Sequence, residues 1–274
     1  MRRLVAPGSR MAVLAVILLL SASTATLAAA RLYPQAVDAW SAYVSVTEGR
    51  IRQELGSSRG FLGMDFGRDA ASERRDVLNG AIVVRMMQSS DARGRPMTAP
   101  SALIHHVRGD VLIPGVTVRQ LLADLQAHAP EQEDILRSSI LERGQDRMRV
   151  YLRLQRKRFV TVRYDTEHTV TFSRFGDTRA TSTSTATRIA EVSNPDTPEE
   201  HDLPPGEDRG FLWRLNSYWR YEEVAGGVIA ECESLSLSRD VPSLVRYLVN
   251  PLVESTARES MERTLVTLRT RFAS

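Results

Sequence analysis

The chain holds one cysteine, Cys232, and one lysine, Lys157. A single cysteine excludes an intrachain disulfide and any C-x-x-C metal or redox site. The fold must therefore hold by its core, and the chain is long enough to build one. With 36 basic residues and one lysine, positive charge is carried almost wholly by guanidinium groups. A coding bias toward arginine accounts for this; anion recognition by arginine forks would need a spatial cluster. The patterns S-x-x-K, H-E-x-x-H and G-x-G-x-x-G and the P-loop are absent, which lowers the odds of the common hydrolases, zinc enzymes, dinucleotide binders and P-loop NTPases. No N-x-S/T glycosylation pattern occurs. Past residue 30 no apolar run approaches the roughly 20 residues that a bilayer span needs.

The N-terminus carries a three-part signal. Arg2, Arg3 and Arg10 form a basic region, Met11–Leu20 is an unbroken apolar run, and Ala28-Ala29-Ala30 is an A-x-A cleavage pattern. This order predicts a signal peptide over residues 1–30 and an exported protein, periplasmic or secreted. An uncleaved N-terminal anchor is the alternative. Removing residues 1–30 takes the formal charge from +3 to 0. A balanced mature chain is a poor candidate for a nucleic-acid binder.

Periodicity divides the remainder. Trp40, Tyr43, Thr47, Ile51 and Leu55 recur at helical spacing and predict a helix over 35–55. With its loops, this segment (31–100) is expected to pack on a main domain at 101–274. Strands are expected over 81–87 and 102–113, and Thr117 should cap a helix over 118–128. From 134 to 192 the period becomes 2. Asp165–His168 and Gly176-Asp177 read as turns between the strands there. Along 179–191, Ala180, Ser182, Ser184 and Ala186 share one face and the threonines the other. Two further strands follow at 211–223 and 228–238. In the first, Trp213, Leu215, Ser217, Trp219 and Tyr221 share a face. A long amphipathic helix over 242–272 closes the chain, with a kink or break expected near Asn250 because of Pro251. Helical regions flanking an antiparallel run predict an α+β fold.

Candidate chemistry is sparse. His105-His106 must point to opposite faces of a strand and cannot chelate one metal together; one packed and one exposed histidine are expected. Glu231 and Glu233 share a face at about 7 Å spacing. They could do acid–base work, but a solvated outer face is the more ordinary outcome. Cys232 reads as a small core residue. The glycine-rich Gly60–Gly67 (GFLGMDFG) reads as a packed loop, with a lid or a loop making transient membrane contact as the other possibility. The small face at Ala180–Ala186 stands out. Interiors are close-packed, so either bulky neighbours or a ligand must fill the room it leaves.

The order strand, short helix, antiparallel strands and long closing helix resembles the helix-grip fold of the START / polyketide-cyclase-like superfamily. Three stretches carry the resemblance: VLIPGVTVRQLLADLQAHAPEQEDILRSSILER, RVYLRLQRKRFVTVRYDTEHTVTF and GFLWRLNSYWRYEEVAGGVIAECESLSLSRDVPSLVRYLVNPLV. It implies a curved sheet wrapped around the last helix, with an apolar cavity between them. Members bind lipids, sterols, polyketides or hormones, and some cyclise polyketides. The resemblance supplies no catalytic residue, metal or cofactor. The expected ligand-binding residues are Phe172, Ser182, Ser184, Trp213, Trp219, Leu248 and Leu252, and the expected partner is a hydrophobic small molecule or lipid. A cyclase- or hydrolase-like enzyme in the same cavity, or a structural domain with a filled cavity, are the alternatives.

Overall fold

The structure is a computed structural model. It describes residues 29–157, 161–240 and 243–272, with the side chains of 243–254 excepted. The expected leader lies outside the described residues, Ala29 and Ala30 apart. The chain is α+β. In chain order the strands are β1 (Val83–Met86), β2 (Ala102–Pro114), β3 (Ile135–Arg143), β4 (Arg147–Lys157), β5 (Thr161–Arg174), β6 (Arg179–Ser193), β7 (His201–Asp202), β8 (Arg214–Val224) and β9 (Gly227–Arg239). The helices are α1 (Pro34–Leu55), α2 (Ala70–Leu78), α3 (Val118–Ala127) and α4 (Ser243–Arg271), with a 3₁₀ turn at Gly63–Phe66.

The strands form one antiparallel sheet in the order β1-β2-β9-β8-β6-β5-β4-β3, with β7 paired to the end of β6. Side chains alternate between two faces, and each face is covered differently. On one face lie Val107, Val111 and Ile113 of β2 with Val228, Ala230 and Cys232 of β9, and Met261, Leu265 and Leu268 of α4 pack against them. Gly109 lets α4 come close: a Cβ there would stand 2.5 Å from Met261 Cγ and 2.6 Å from Leu265 Cδ1. Arg258 and Arg269 of α4 donate to the carbonyls of Val84 and Gly80 at the β1 edge. This is the helix-grip arrangement, with α4 held on the concave face. The capping box of Thr117 and Gln120 starts α3. Its Leu121 and Leu122 close the same core.

The opposite, convex face is covered by α1. Ala36, Trp40 and Tyr43 pack on Leu235 and Leu237 of β9. Phe61, Leu62 and Met64 of the glycine-rich segment pack with Val77 of α2 and Ile229 of β9.

Three sequence expectations change. Asp165–His168 is not a turn, because β5 runs through it from Thr161 to Arg174. Its polar residues simply alternate: Asp165 and Glu167 pair with Arg153 and Arg149, while Thr166 and His168 point to the concave side. Helix α4 continues through Pro251 instead of breaking near Asn250. Proline removes one intrahelical hydrogen bond, and that loss does not end the helix here. Helix α2 was not foreseen; its short sequence, AASERRDVL, carries little apolar periodicity.

Candidate functional site

The sheet register sets the concave face row by row. Ser234 of β9 lies opposite Ser217 of β8, Ser217 opposite Ser184 of β6, and Ser184 opposite Val170 of β5. The next row runs Cys232, Trp219, Ser182, Phe172. The one after it places Ala230 beside Tyr221 and Tyr221 beside Ala180. Four of the expected residues, Phe172, Ser182, Ser184 and Trp219, therefore meet on one surface. Phe172 and Ser182 are buried, whereas Ser184, Ser217, Ser234, Trp219 and Val170 are half-buried. The partial accessibility sits in the rows where side chains are small.

Trp213 is not part of this surface. It precedes β8, its backbone N–H bonds to Leu237 O, and its indole N–H donates to Asp208 at 2.9 Å. Its ring packs in the α1 cluster with Trp40 and Leu237. Strand alternation does not reach back past Arg214, which is why the sequence pattern misplaced it. Leu248 and Leu252 lie in α4, among the residues whose side chains are not described.

Two hydrogen-bonded groups furnish the concave face. Ser182 Oγ lies 3.1 Å from Tyr221 Oη, and the Tyr221 ring stacks on Trp219 with centroids 6.0 Å apart. Beside them runs a relay. Ser184 Oγ is 3.3 Å from His168 Nδ1, His168 Nε2 is 3.0 Å from Thr166 Oγ1, and Thr166 Oγ1 donates to Leu152 O at 3.0 Å. Burial pushes His168 down to about 4, so the imidazole is neutral at physiological pH. His168, Thr166 and Tyr221 were missed as site residues. The turn assigned to Asp165–His168 hid the first two. Further along β5, Tyr164 is buried and its hydroxyl has no partner among the described residues.

His105 also faces the concave side, its Nε2 2.8 Å from Ser238 Oγ, and burial lowers it to about 4. His106, its neighbour, is buried beneath α1 rather than exposed. Its Nδ1 lies 2.8 Å from Tyr43 Oη, and its Nε2 2.5 Å from Glu233 Oε1.

Glu231 and Glu233 likewise overturn the expectation of a solvated face: each is 1% exposed. They lie on the convex side under α1, in a dense ion-pair network. Glu231 accepts from the backbone N–H groups of Gly63 and Met64 at 2.7 and 2.9 Å. Glu233 pairs with Arg50 of α1 and with His106. Burial would raise the Glu233 carboxyl, but His106 and Arg50 outweigh it and hold it below its ordinary value. Asp110 sits beside Glu231, and burial plus that neighbouring carboxylate push it well up. Arg220, 2% exposed, bridges Glu54 and the Phe61 carbonyl. The carboxylates, His106 and Arg220 of this network are buried, Arg50 reaches its edge, and together they tie the N-terminal segment to the sheet. GFLGMDFG is thus a packed loop: Phe61, Leu62 and Met64 are buried.

Gly56–Gly60 spells G-x-S-x-G. It follows the end of α1 and its Ser58 is exposed, so the strand–turn–helix elbow that makes such a serine a nucleophile is missing. Among the described residues no cluster of three or more metal-ligating side chains occurs.

No known family model and no curated protein matches the chain. Solved structures do resemble it. A STAR-related lipid transfer protein fragment from Xanthomonas axonopodis is 18% identical, covering 69% of this chain and 99% of that one, with a TM-score of 0.44. Human StAR-related lipid transfer protein 5 is 15% identical over 85% of this chain and 96% of its own, with a TM-score of 0.44. The Zhui aromatase/cyclase from Streptomyces sp. R1128 is 15% identical over 61% and 95%, with a TM-score of 0.34.

Proposed function

We propose that the chain binds and carries a hydrophobic small molecule or lipid between the concave face of the sheet and α4, outside the cytoplasm. The observation that carries this reading is the half-buried band of small and aromatic side chains, Ser184, Ser217, Ser234, Trp219 and Val170, in the middle of a face otherwise packed by leucine, valine and methionine. Ligand sites are mostly apolar concavities with a few placed polar groups. The His168–Ser184 pair favours binding over catalysis. A base at about 4 is poorly matched to deprotonating a serine. Ser184 also lies in an interior strand, paired with Val170 on one side and Ser217 on the other. The backbone N–H groups around it serve the ladder and are not free to form an oxyanion hole. The basic–apolar–A-x-A order of residues 1–30 supports export.

Three tryptophans make the site testable. Trp219 lies on the concave face, while Trp40 and Trp213 lie together on the convex side. A fatty alcohol brominated along its chain quenches only tryptophan it touches. Saturable quenching in the wild type that disappears in Trp219→Phe is the expected result. Quenching that persists in that variant, or never saturates, would overturn the reading.

A further inference from the structure

We infer that Ser184 is a dedicated hydrogen-bond acceptor for a hydroxyl group of the bound molecule, so that the site selects neutral alcohols over ethers, esters and carboxylates of equal length. The inference rests on the binding reading above and extends it to ligand chemistry.

The relay fixes the direction of every proton. Thr166 has one hydroxyl hydrogen, and it is committed to Leu152 O. Thr166 Oγ1 can therefore only accept from His168 Nε2, which must carry the imidazole hydrogen. That leaves His168 Nδ1 as a bare lone pair, and the only group it meets in the relay is the Ser184 hydroxyl. Ser184 thus spends its hydrogen on His168 and turns lone pairs alone to the open side. A ligand group meeting it must donate.

The surroundings narrow the class further. Ser184 is half-buried, and its row continues into Ser217 and Ser234, also half-buried. Directly opposed side chains in a sheet stand about 5 Å apart at Cβ, so one oxygen of a ligand can reach Ser184 and Ser217 together. A hydroxyl can give its hydrogen to Ser184 and accept one from Ser217. An ether or ester carbonyl can only accept. A carboxylate can only accept and is charged. The described side chains in the two rows nearest Ser184, from β9 through β5, are all neutral: Ser234, Ser217, Ser184 and Val170, then Cys232, Trp219, Ser182 and Phe172; the third row, Ala230, Tyr221 and Ala180, ends on Arg174 of β5, which is exposed at the strand's end. A buried anion beside Ser184 would meet no cation among the described side chains of those two rows, and an unpaired buried charge is costly.

The test is competition against the brominated alcohol by dodecan-1-ol, its methyl ether and dodecanoate at pH 7.5. The alcohol is expected to displace the probe at roughly 10-fold lower concentration than the ether, the size of one well-made hydrogen bond, and to outcompete dodecanoate by at least as much. In Ser184→Ala the alcohol and ether should converge to within about 2-fold. Thr166→Val provides the readout that a merely structural role would not move. With no acceptor at Nε2, the imidazole hydrogen can shift to Nδ1, Ser184 regains its own hydrogen, and the ether should gain on the alcohol. Equal displacement by alcohol and ether in the wild type, or selectivity unchanged in Ser184→Ala, would overturn the inference while leaving the binding site standing. Failure of the brominated probe to bind at all would overturn both.

Discussion

Gly109→Ala sets two opposing effects against each other at the contact between sheet and α4. Gly109 lies in the interior of β2, and it is not among the glycines at positive φ. Considered alone, alanine should stabilise such a strand by about 0.5–1 kcal/mol, by restricting the unfolded chain. The new methyl, however, would stand 2.5 Å from Met261 Cγ, 2.6 Å from Leu265 Cδ1 and 2.9 Å from Met261 Sδ. Met261 is 4% exposed and Leu265 fully buried, so neither side chain can swing into solvent. Overpacking of this kind costs about 1–3 kcal/mol. The net expectation is a loss of about 1–2 kcal/mol, which lowers Tm by roughly 2–8 °C for a domain of this size. Urea denaturation of the wild type, Gly109→Ala, Met261→Ala and the double variant measures it. Met261→Ala alone should cost about 2–5 kcal/mol through its cavity, and the double variant should recover part of that, because the added methyl fills space the methionine left. Gly109→Ala more stable than wild type, or strict additivity in the cycle, would refute close packing of α4 on β2.

Acid should weaken the fold through its buried imidazoles. A histidine held at about 4 binds its proton later than it would unfolded at 6.5, so its contribution is present above pH 6.5 and lost as the pH falls toward 4. For His168 this amounts to at most about 3 kcal/mol, and His168→Gln should flatten the pH dependence of urea stability in that window; an unchanged slope would contradict its burial as a neutral ring. Arg220→Met should cost about 3–5 kcal/mol, since it leaves Glu54 and Glu231 buried with a missing partner, and a loss under about 1 kcal/mol would show that α1 is not docked as described. Exported protein should begin close to Ala30 by intact mass. A chain still starting at Met1 would indicate an anchor.

Much of the concave face was legible in the sequence because strand periodicity assigns faces without any knowledge of partners. The alternation in β6 separated Ala180, Ser182 and Ser184 from the threonines, and the register bears this out. Legibility failed where alternation meets irregular backbone or polar composition. Trp213 follows the positive-φ Gly210 and precedes the first paired residue of β8, so the period could not be extended to it. Asp165-Thr166-Glu167-His168 looks like a turn because all four side chains are polar. Only the cross-strand arginines, Arg149 and Arg153, explain why a strand can carry them. The burial of Glu231 and Glu233 was beyond sequence reasoning for another reason. Strand position gives the face, but the helix that covers that face comes from a segment more than 170 residues away in the chain, and its paired Arg50 and Glu54 are indistinguishable in sequence from an exposed i,i+4 pair.

The most direct test of ligand binding between sheet and α4 is photolabelling with a diazirine-bearing long-chain alcohol, followed by peptide mapping of wild type and Ser184→Phe. Saturable label on the concave residues of β5, β6 and β8, among them Val170, Ser182 and Trp219, is expected, and it should be lost in Ser184→Phe, whose ring would occupy the ligand's space. Label confined to the convex side, or the same label in both proteins, would contradict a binding site on this face.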